Sequence, residues 1–491
     1  MQANSPQASV PDSASAAEGE KITTEICVIG AGSGGLSVAA AAAAFGRRVV
    51  LIERHKMGGD CLNYGCVPSK AMIAASKRAH AMRTASMFGI ASVDPQVDMR
   101  GVHDHVHGVI AAIAPNDSAE RFTGLGVRVI RAAGRFINRS TVQAGEHRIT
   151  ARRFVIATGS TPLVPPIPGL DSVPYFTNET IFDNQERLPD LIIVGGGPIG
   201  MELAQAHSRL GSRVTVIEAA TTLSKDDPEL TKVVIERLRE EGVTVLEGTK
   251  VESVEGGLGR VRVNVAAGDE KQVIDGTHLL LAVGRKPTTA DLGLEAAGIR
   301  YDERGIKVNR GLRTSNRRVY AIGDVAGGLQ FTHVANYQAG IVIRRALFRI
   351  PAKVDTRIIP WVTFTDPELA HVGLQEAQAK KVAGTINVLR WPYHENDRAQ
   401  AERETKGQIK VITTKGGRIL GATIVGAEAG ELIQMWALAI SQKMNIKAMT
   451  CWISPYPTLS EINKRVAFRY YATAPSGPLV RRIIGFLAKF G

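Results

Sequence analysis

At 491 residues the chain is too long for a single hydrophobic core and calls for about three domains. Its 44% apolar and 22% charged residues describe an ordinary globular protein, and four cysteines (Cys27, Cys61, Cys66 and Cys451) are too few for an extracellular disulfide framework, which points to a reducing cytoplasm. The formal charge of +13 is spread along the chain without basic blocks or interleaved aromatics, which argues against a nucleic-acid-binding surface.

Residues 1–20 are rich in Ser, Ala, Pro and Gln and hold no Lys or Arg, so they read as a disordered tail, neither a secretory signal nor a mitochondrial presequence. No apolar run reaches the length of about eighteen residues that a membrane span requires. The ordered chain opens with the β-branched run Ile26 to Ile29, which leads into Gly30-Ala31-Gly32-Ser33-Gly34-Gly35 and an alanine-rich helix. Gly30, Gly32 and Gly35 form G-x-G-x-x-G in the strand-turn-helix setting that holds a pyrophosphate on a helix N-terminus, and Glu53, at the end of the next strand, can accept from ribose hydroxyls. Cys27, within the first strand, reads as a buried structural thiol.

The stretch Gly58-Gly59-Asp60-Cys61-Leu62-Asn63-Tyr64-Gly65-Cys66-Val67-Pro68-Ser69-Lys70 follows. Two cysteines at this spacing can close a loop through a disulfide that exchange chemistry reopens, or they can be a plain crosslink or two buried thiols. A helical pattern runs from about 71 to 125 and carries His103, His105 and His107. His103 and His107 share a helix face, and without acidic or thiol partners a solvated face is the preferred reading over a metal site.

Phe154 to Ser160 is a strand ending in a small-residue turn, and the prolines from Pro162 to Pro168 mark a domain crossing. A second strand, Leu191 to Val194, then leads into Gly195, Gly197 and Gly200, and Val214 to Ile217 ends in Glu218. Two complete fingerprints imply two dinucleotides. Leu279 to Pro287, with Gly284, closes this insert. Val319 to Val325 is a strand ending in Gly323-Asp324, and Thr332-His333 starts a helix on which His333 reads as structural. From Pro360 to Glu368 onward come a strand, helices and further strands.

In this order the motifs resemble those of the class I flavoprotein disulfide reductases, the family of dihydrolipoamide dehydrogenase, glutathione reductase and mercuric reductase, over residues 22 to about 470. The resemblance implies an α/β fold with two Rossmann-like dinucleotide-binding domains, glutathione reductase-like, and an α+β C-terminal dimerisation domain. It divides the chain into a FAD domain at 21–165 and 285–354, an NAD(P)H domain at 166–284, a dimerisation domain at 355–475 and a basic tail at 476–491. It implies FAD held by Gly30, Gly32, Gly35, Glu53, Gly59, Lys70, Thr158, Gly159 and Asp324, and NADH held by Gly195, Gly197, Gly200, Glu218 and Gly284. It further implies a redox disulfide in which Cys66 is the flavin-side thiolate and Cys61 meets the substrate, with Lys70 and Glu202 paired near the flavin and the catalytic end of one subunit lent to the other in a homodimer.

One departure stands out. Thiol-exchanging members carry a histidine five residues before a glutamate; here Tyr456 precedes Glu461 in Tyr-Pro-Thr-Leu-Ser-Glu. A phenol of pKa about 10 is a poor proton shuttle near neutrality. Mercuric reductases also have a tyrosine here but end in a vicinal cysteine pair, absent from Ile484 to Gly491. Cys451, five residues before Tyr456, reads as a packed free thiol. The acceptor is accordingly expected to be a small disulfide or a metal ion, with a mercuric reductase-like metal-ion reductase, dihydrolipoamide dehydrogenase and a slow redox-sensing or membrane-associated flavoprotein as the alternatives. After Pro478, Leu479, Val480, Ile483, Ile484, Leu487 and Phe490 share one helical face, away from Arg481, Arg482 and Lys489. Packing on the protein's own dimer is the preferred reading of that face and peripheral membrane contact the second.

Glu218 sets one expectation at once, because a carboxylate accepts from free ribose hydroxyls and repels a 2′-phosphate. Steady-state kinetics should give a kcat/KM for NADH at least about tenfold above that for NADPH, and the reverse order would overturn the carboxylate argument.

Overall fold

The computed structural model describes residues 19–472 and 478–490. The expected tail therefore lies outside the described residues, except for Gly19 and Glu20. Glu20 already belongs to the fold: its carboxylate accepts from Arg128 Nη1 at 2.8 Å and its carbonyl from the Arg148 amide at 3.0 Å.

The first sheet grows from sequence alternation. Ile26 and Val28 pack with Val38, Ala39 and Ala42 of the helix Ser33–Ala44, whereas Cys27 and Ile29 point to the other face, with Phe136 and Phe154. Covered on both sides, the strand Lys21–Ile29 pairs in parallel with Val49–Glu53 and with His147–Ile156. Val127–Arg131 extends the sheet beyond Val49–Glu53, Val319–Ala321 joins beside His147–Ile156, and the hairpin Gly134–Asn138 with Thr141–Ala144 completes seven strands. Alanines dominate the helix Ser33–Ala44, which lets the helix Thr332–Ala346 approach closely: a Cβ on Gly34 would stand 3.1 Å from that of Ala335.

The second nucleotide unit repeats the plan. Its parallel sheet runs Thr244–Leu246, Arg213–Ile217, Asp190–Val194, His278–Leu281, with the antiparallel meander Lys250–Gly257, Arg260–Ala267 and Glu270–Gly276 beside it. The chain leaves the first unit at Ser160–Pro162 and returns at Arg285–Pro287, and these two short strands pair antiparallel. The last unit is a five-stranded antiparallel sheet from Pro360 to Gly426 packed on the helix Ala429–Ser441, whose buried Trp436 donates to Asn463 at 2.7 Å. Among the described residues no helix is long and apolar enough to cross a membrane.

One face of the helix Pro198–Arg209 staples the second unit to the last. Glu202 Oε1 accepts from the Phe364 amide at 2.9 Å, Gln205 exchanges bonds with the backbone of Asp366 at 2.7 and 2.8 Å, and Arg209 reaches Asp366 Oδ2 at 2.8 Å. Spacings of three and four residues put all three side chains on that face. The buried Arg209 also forks onto Glu241 at 2.6 and 2.8 Å. Removing one partner of a buried charge network strands the others without compensation. Arg209→Ala should therefore destabilise the protein by about 3–5 kcal/mol, against less than about 1 kcal/mol for Arg47→Ala at the exposed pair with Glu25, as read from urea unfolding of the flavin-loaded protein.

Candidate active site

A cleft of about 1590 Å³ runs between the two nucleotide units and reaches the first strand of the last. Two glycine cradles face it, and their geometries repeat. Gly32 and Gly197, the middle glycines, are extended N-caps at φ −78°, ψ −179° and φ −75°, ψ 178°, and neither helix start has a side-chain cap. A Cβ on Gly197 would meet nothing within 4 Å, and one on Gly32 only Gly59 Cα at 3.9 Å, so the space above each belongs to the cleft. The flanking glycines are required for the opposite reason. Gly30 and Gly195 sit at φ +103° and +113°, where a Cβ would come within 2.4 Å of a facing carbonyl, and a Cβ on Gly35 or Gly200 would come within 2.0 Å of the carbonyl of Gly30 or Gly195. Uncapped helix amides over open space fit a pyrophosphate at each site.

The acids also match. Glu53 accepts from the amides of Ala31 at 2.6 Å and His55 at 2.7 Å, and Glu218 from Gly196 at 2.7 Å and Ala220 at 2.8 Å. Each carboxylate is thereby held beside its cradle with lone pairs left for ribose hydroxyls. Thr158, Gly159 and Gly284 line the cleft between the two, and Gly59 lies against Gly32.

Cys61 and Cys66 are present as thiols and bracket the turn between the helices Gly59–Asn63 and Cys66–Thr84. Cys66 Sγ lies 3.4 Å from Thr332 Oγ1, at the start of the helix Thr332–Ala346. The Cys66 thiol is lowered to about 6, first by the hydrogen bond from Cys61 and further by Thr332 and the Lys70 ammonium, against the burial that raises it. The same shared hydrogen bond, together with burial, pushes Cys61 up. One sulfur is thus a thiolate near neutrality while its neighbour keeps the proton. Lys70 Nζ meets Glu202 Oε2 at 2.7 Å and lies 4.3 Å from the centre of the Phe364 ring. Because Glu202 also takes the Phe364 amide, the ammonium is fixed in two directions at the cleft wall.

Asp324 accepts from Ser160 Oγ at 2.6 Å, and burial raises its carboxyl above the usual range while that bond opposes the rise. Around it lies a network that the motifs did not reveal. Arg285 donates to Ser160 Oγ at 2.7 Å, to Asp60 Oδ1 at 2.9 Å and to Asn178 Oδ1 at 3.1 Å, so one guanidinium joins the cysteine loop to both crossings. Its sequence signal was slight, a lone arginine after Gly284 at the end of a strand. Trp361 Nε1 donates to the buried Asp226 at 2.7 Å, tying the loop after Glu218 to the last unit. His333, at the cleft wall, has Nε2 2.7 Å from the Pro360 carbonyl and its ring stacked on Phe331.

Tyr456 and Glu461 are not brought to the cleft of their own chain. Tyr456 is 70% exposed, and its hydroxyl donates to Asp397 Oδ2 at 2.7 Å, which raises its pKa above the ordinary phenol value. Glu461 pairs with Arg465 one turn on, at 2.8 Å. Cys451 corrects the expectation of a packed thiol: it is exposed at the end of the short helix Ala448–Cys451, because that one-turn helix turns its last residue outward. Cys27 is fully buried, and burial alone pushes its thiol up. The His103 and His107 rings lie 4.1 Å apart, tilted by 39°, and each bonds a neighbouring oxygen, Asp104 for one and the Phe182 carbonyl for the other.

Residues 24–339 match the family described as pyridine nucleotide-disulphide oxidoreductase, and residues 359–467 match its dimerisation domain. The chain is 35% identical to a mercuric reductase of Bacillus cereus over 437 residues, 88% of this chain and 69% of that protein. It is 34% identical to a dihydrolipoyl dehydrogenase of Geobacillus stearothermophilus, over 91% of this chain and 96% of that protein. Among solved structures, a Cu(II) complex of the HOCl-induced flavoprotein disulfide reductase RclA from Escherichia coli superposes with a TM-score of 0.81 at 28% identity, covering 90% of this chain and 99% of that one.

The sulfur electrostatics can be tested directly. The difference in ultraviolet thiolate absorbance between Cys61→Ser and Cys61→Ser/Cys66→Ser should titrate near pH 6, because a serine hydroxyl still donates to Cys66, and thiolate should be lost as pH falls below that value. Cys61→Ala and Thr332→Val should move the midpoint upward; a midpoint near that of a free thiol in all variants would refute the assignment.

Proposed function

The chain belongs to the pyridine nucleotide-disulphide oxidoreductases, and on that premise we propose that it draws electrons from NADH and delivers them through Cys61 and Cys66 to a soft metal ion or a small disulfide. It is a FAD-dependent, NAD(P)H-linked oxidoreductase and, through the dimerisation domain at 359–467, a homodimer. FAD, when bound, supplies the two-electron relay between nicotinamide and disulfide. Our division of the chain keeps 21–165 and 285–354 for FAD, 166–284 for NAD(P)H and 355–475 for dimerisation. A cytoplasmic setting belongs to the same reading, since a cysteine pair that must be reopened in each cycle suits a reducing compartment.

The observation that carries this reading is the asymmetric sulfur pair, Cys66 lowered beside Thr332 and Lys70, in a cleft between two glycine cradles. In our assignment Gly30, Gly32, Gly35, Glu53, Gly59, Thr158, Gly159 and Asp324 hold FAD, and Gly195, Gly197, Gly200, Glu218 and Gly284 hold NADH. Lys70, steadied by Glu202, presents a fixed positive charge at the flavin side of Cys66. Cys66 remains ionised, whereas Cys61, protonated at rest, releases its proton to water or to the departing thiolate as its sulfur bonds the acceptor.

Metal-ion reduction is favoured over dihydrolipoamide oxidation by Tyr456. In a dimer its exposed phenol can enter the partner's cleft beside the thiols, but, bonded to Asp397, it is a worse proton carrier than an imidazole. The relatives named as mercuric reductases and the neighbour solved with Cu(II) support the same choice. A slow-turnover redox sensor is the reading of a different class, and absence of turnover with every acceptor would favour it.

Hg(II) or Cu(II) should drive NADH oxidation by the flavin-loaded dimer, and Cys66→Ser should abolish it. Tyr456→His should raise dihydrolipoamide turnover by about 10²-fold, the usual contribution of one general acid-base group; turnover with lipoamide as fast as with metal in the unaltered protein would overturn the choice. Glu218→Ala should raise kcat/KM for NADPH by about tenfold or more, with Lys225 and Lys250 at the same mouth of the cleft left to meet the 2′-phosphate.

A further inference from the structure

Beyond the dimerisation unit lies the helix Pro478–Leu487, and none of its residues is buried. Its last turn continues through Ala488 and Phe490, whose amides bond the carbonyls of Ile484 and Leu487 at 2.9 and 3.0 Å. Leu479, Ile483, Leu487 and Phe490 recur every three or four residues, and Val480 and Ile484 widen the stripe. Leu479 is 69% exposed, Ile484 60% and Phe490 74%, a degree of exposure that a stripe of large apolar side chains does not keep in water without a partner. The opposite side carries Arg481, Arg482 and Lys489.

Charge decides between the partners that could cover this stripe. From Ile462 to Gly491 there are six basic residues and no acidic one, and the whole chain carries +13. A second copy of this chain brings the same net positive charge, whereas an anionic bilayer offers apolar depth beneath a negative headgroup layer. We infer that the helix Pro478–Leu487 lies in the plane of an anionic phospholipid surface, with Leu479, Ile483, Leu487 and Phe490 inserted among the acyl chains and Arg481, Arg482 and Lys489 at the phosphates. The helix is short and crosses nothing, so the contact is peripheral and reversible by salt. The catalytic reading above does not depend on this contact.

Co-sedimentation of the full-length, flavin-loaded dimer with phosphatidylcholine vesicles, with and without phosphatidylglycerol, tests the assignment. Binding to the anionic vesicles should be about 100-fold tighter than to the neutral ones and should fall steeply with added salt. Ile483→Asp/Leu487→Asp and Arg481→Glu/Arg482→Glu should each abolish it while leaving flavin content, dimer mass and NADH oxidation unchanged. Equal binding to both vesicle types, binding unaffected by either variant, or no binding at all would overturn the assignment. So would a change of oligomeric state in either variant without lipid, which would make the helix an interface between copies.

Discussion

Arg285 stands where the chain re-enters the unit it left at Ser160, and its guanidinium holds that closure together. It bonds Ser160 on the outgoing strand, Asn178 beyond the proline-rich crossing and Asp60 in the cysteine loop, while Asp324 takes the Ser160 hydroxyl on the other side. A domain built from two separated pieces of chain must meet in register, and the short ladder of Ser160–Pro162 with Arg285–Pro287 is only a few residues long. The fork of donors on one planar cation adds the missing specification. The position of Cys61 and Cys66 relative to the first cradle follows from that closure.

The same economy operates at the second boundary. Glu202 belongs to the helix that opens the second cradle, yet its two oxygens serve Lys70 from the cysteine helix and the Phe364 amide from the last unit. Gln205 and Arg209 continue the attachment down the same face. A helix whose N-terminus faces one nucleotide site is thereby fixed against both the redox loop and the dimerisation unit. The charge at Lys70 is held in place by three parts of the chain that are far apart in sequence.

The asymmetry between the two sulfurs depends on this framework. The hydrogen bond they share, the Thr332 hydroxyl and the nearby ammonium together favour ionisation at Cys66 and protonation at Cys61. Thr332 was visible in the sequence only as a helix start, because nothing local says which side chain a helix will aim at a thiol. The missing histidine, by contrast, was plain from the string around Tyr456, but the bond to Asp397 that makes the phenol weaker still was not.

Local patterns determined most of the architecture. Alternating strands followed by glycine turns and helices mark two nucleotide units, since a pyrophosphate cradle needs those residues within a few positions of one another. Glu53 and Glu218 were legible at the end of the strand that follows each cradle, and Cys61 and Cys66 from their own string, Gly58 to Lys70. Tertiary structure alone decided what links motifs to each other: Arg285 to Asp60, Trp361 to Asp226, Glu202 to Phe364, and the exposure of Cys451. Those contacts join residues up to hundreds of positions apart, and periodicity and spacing carry no information at that range.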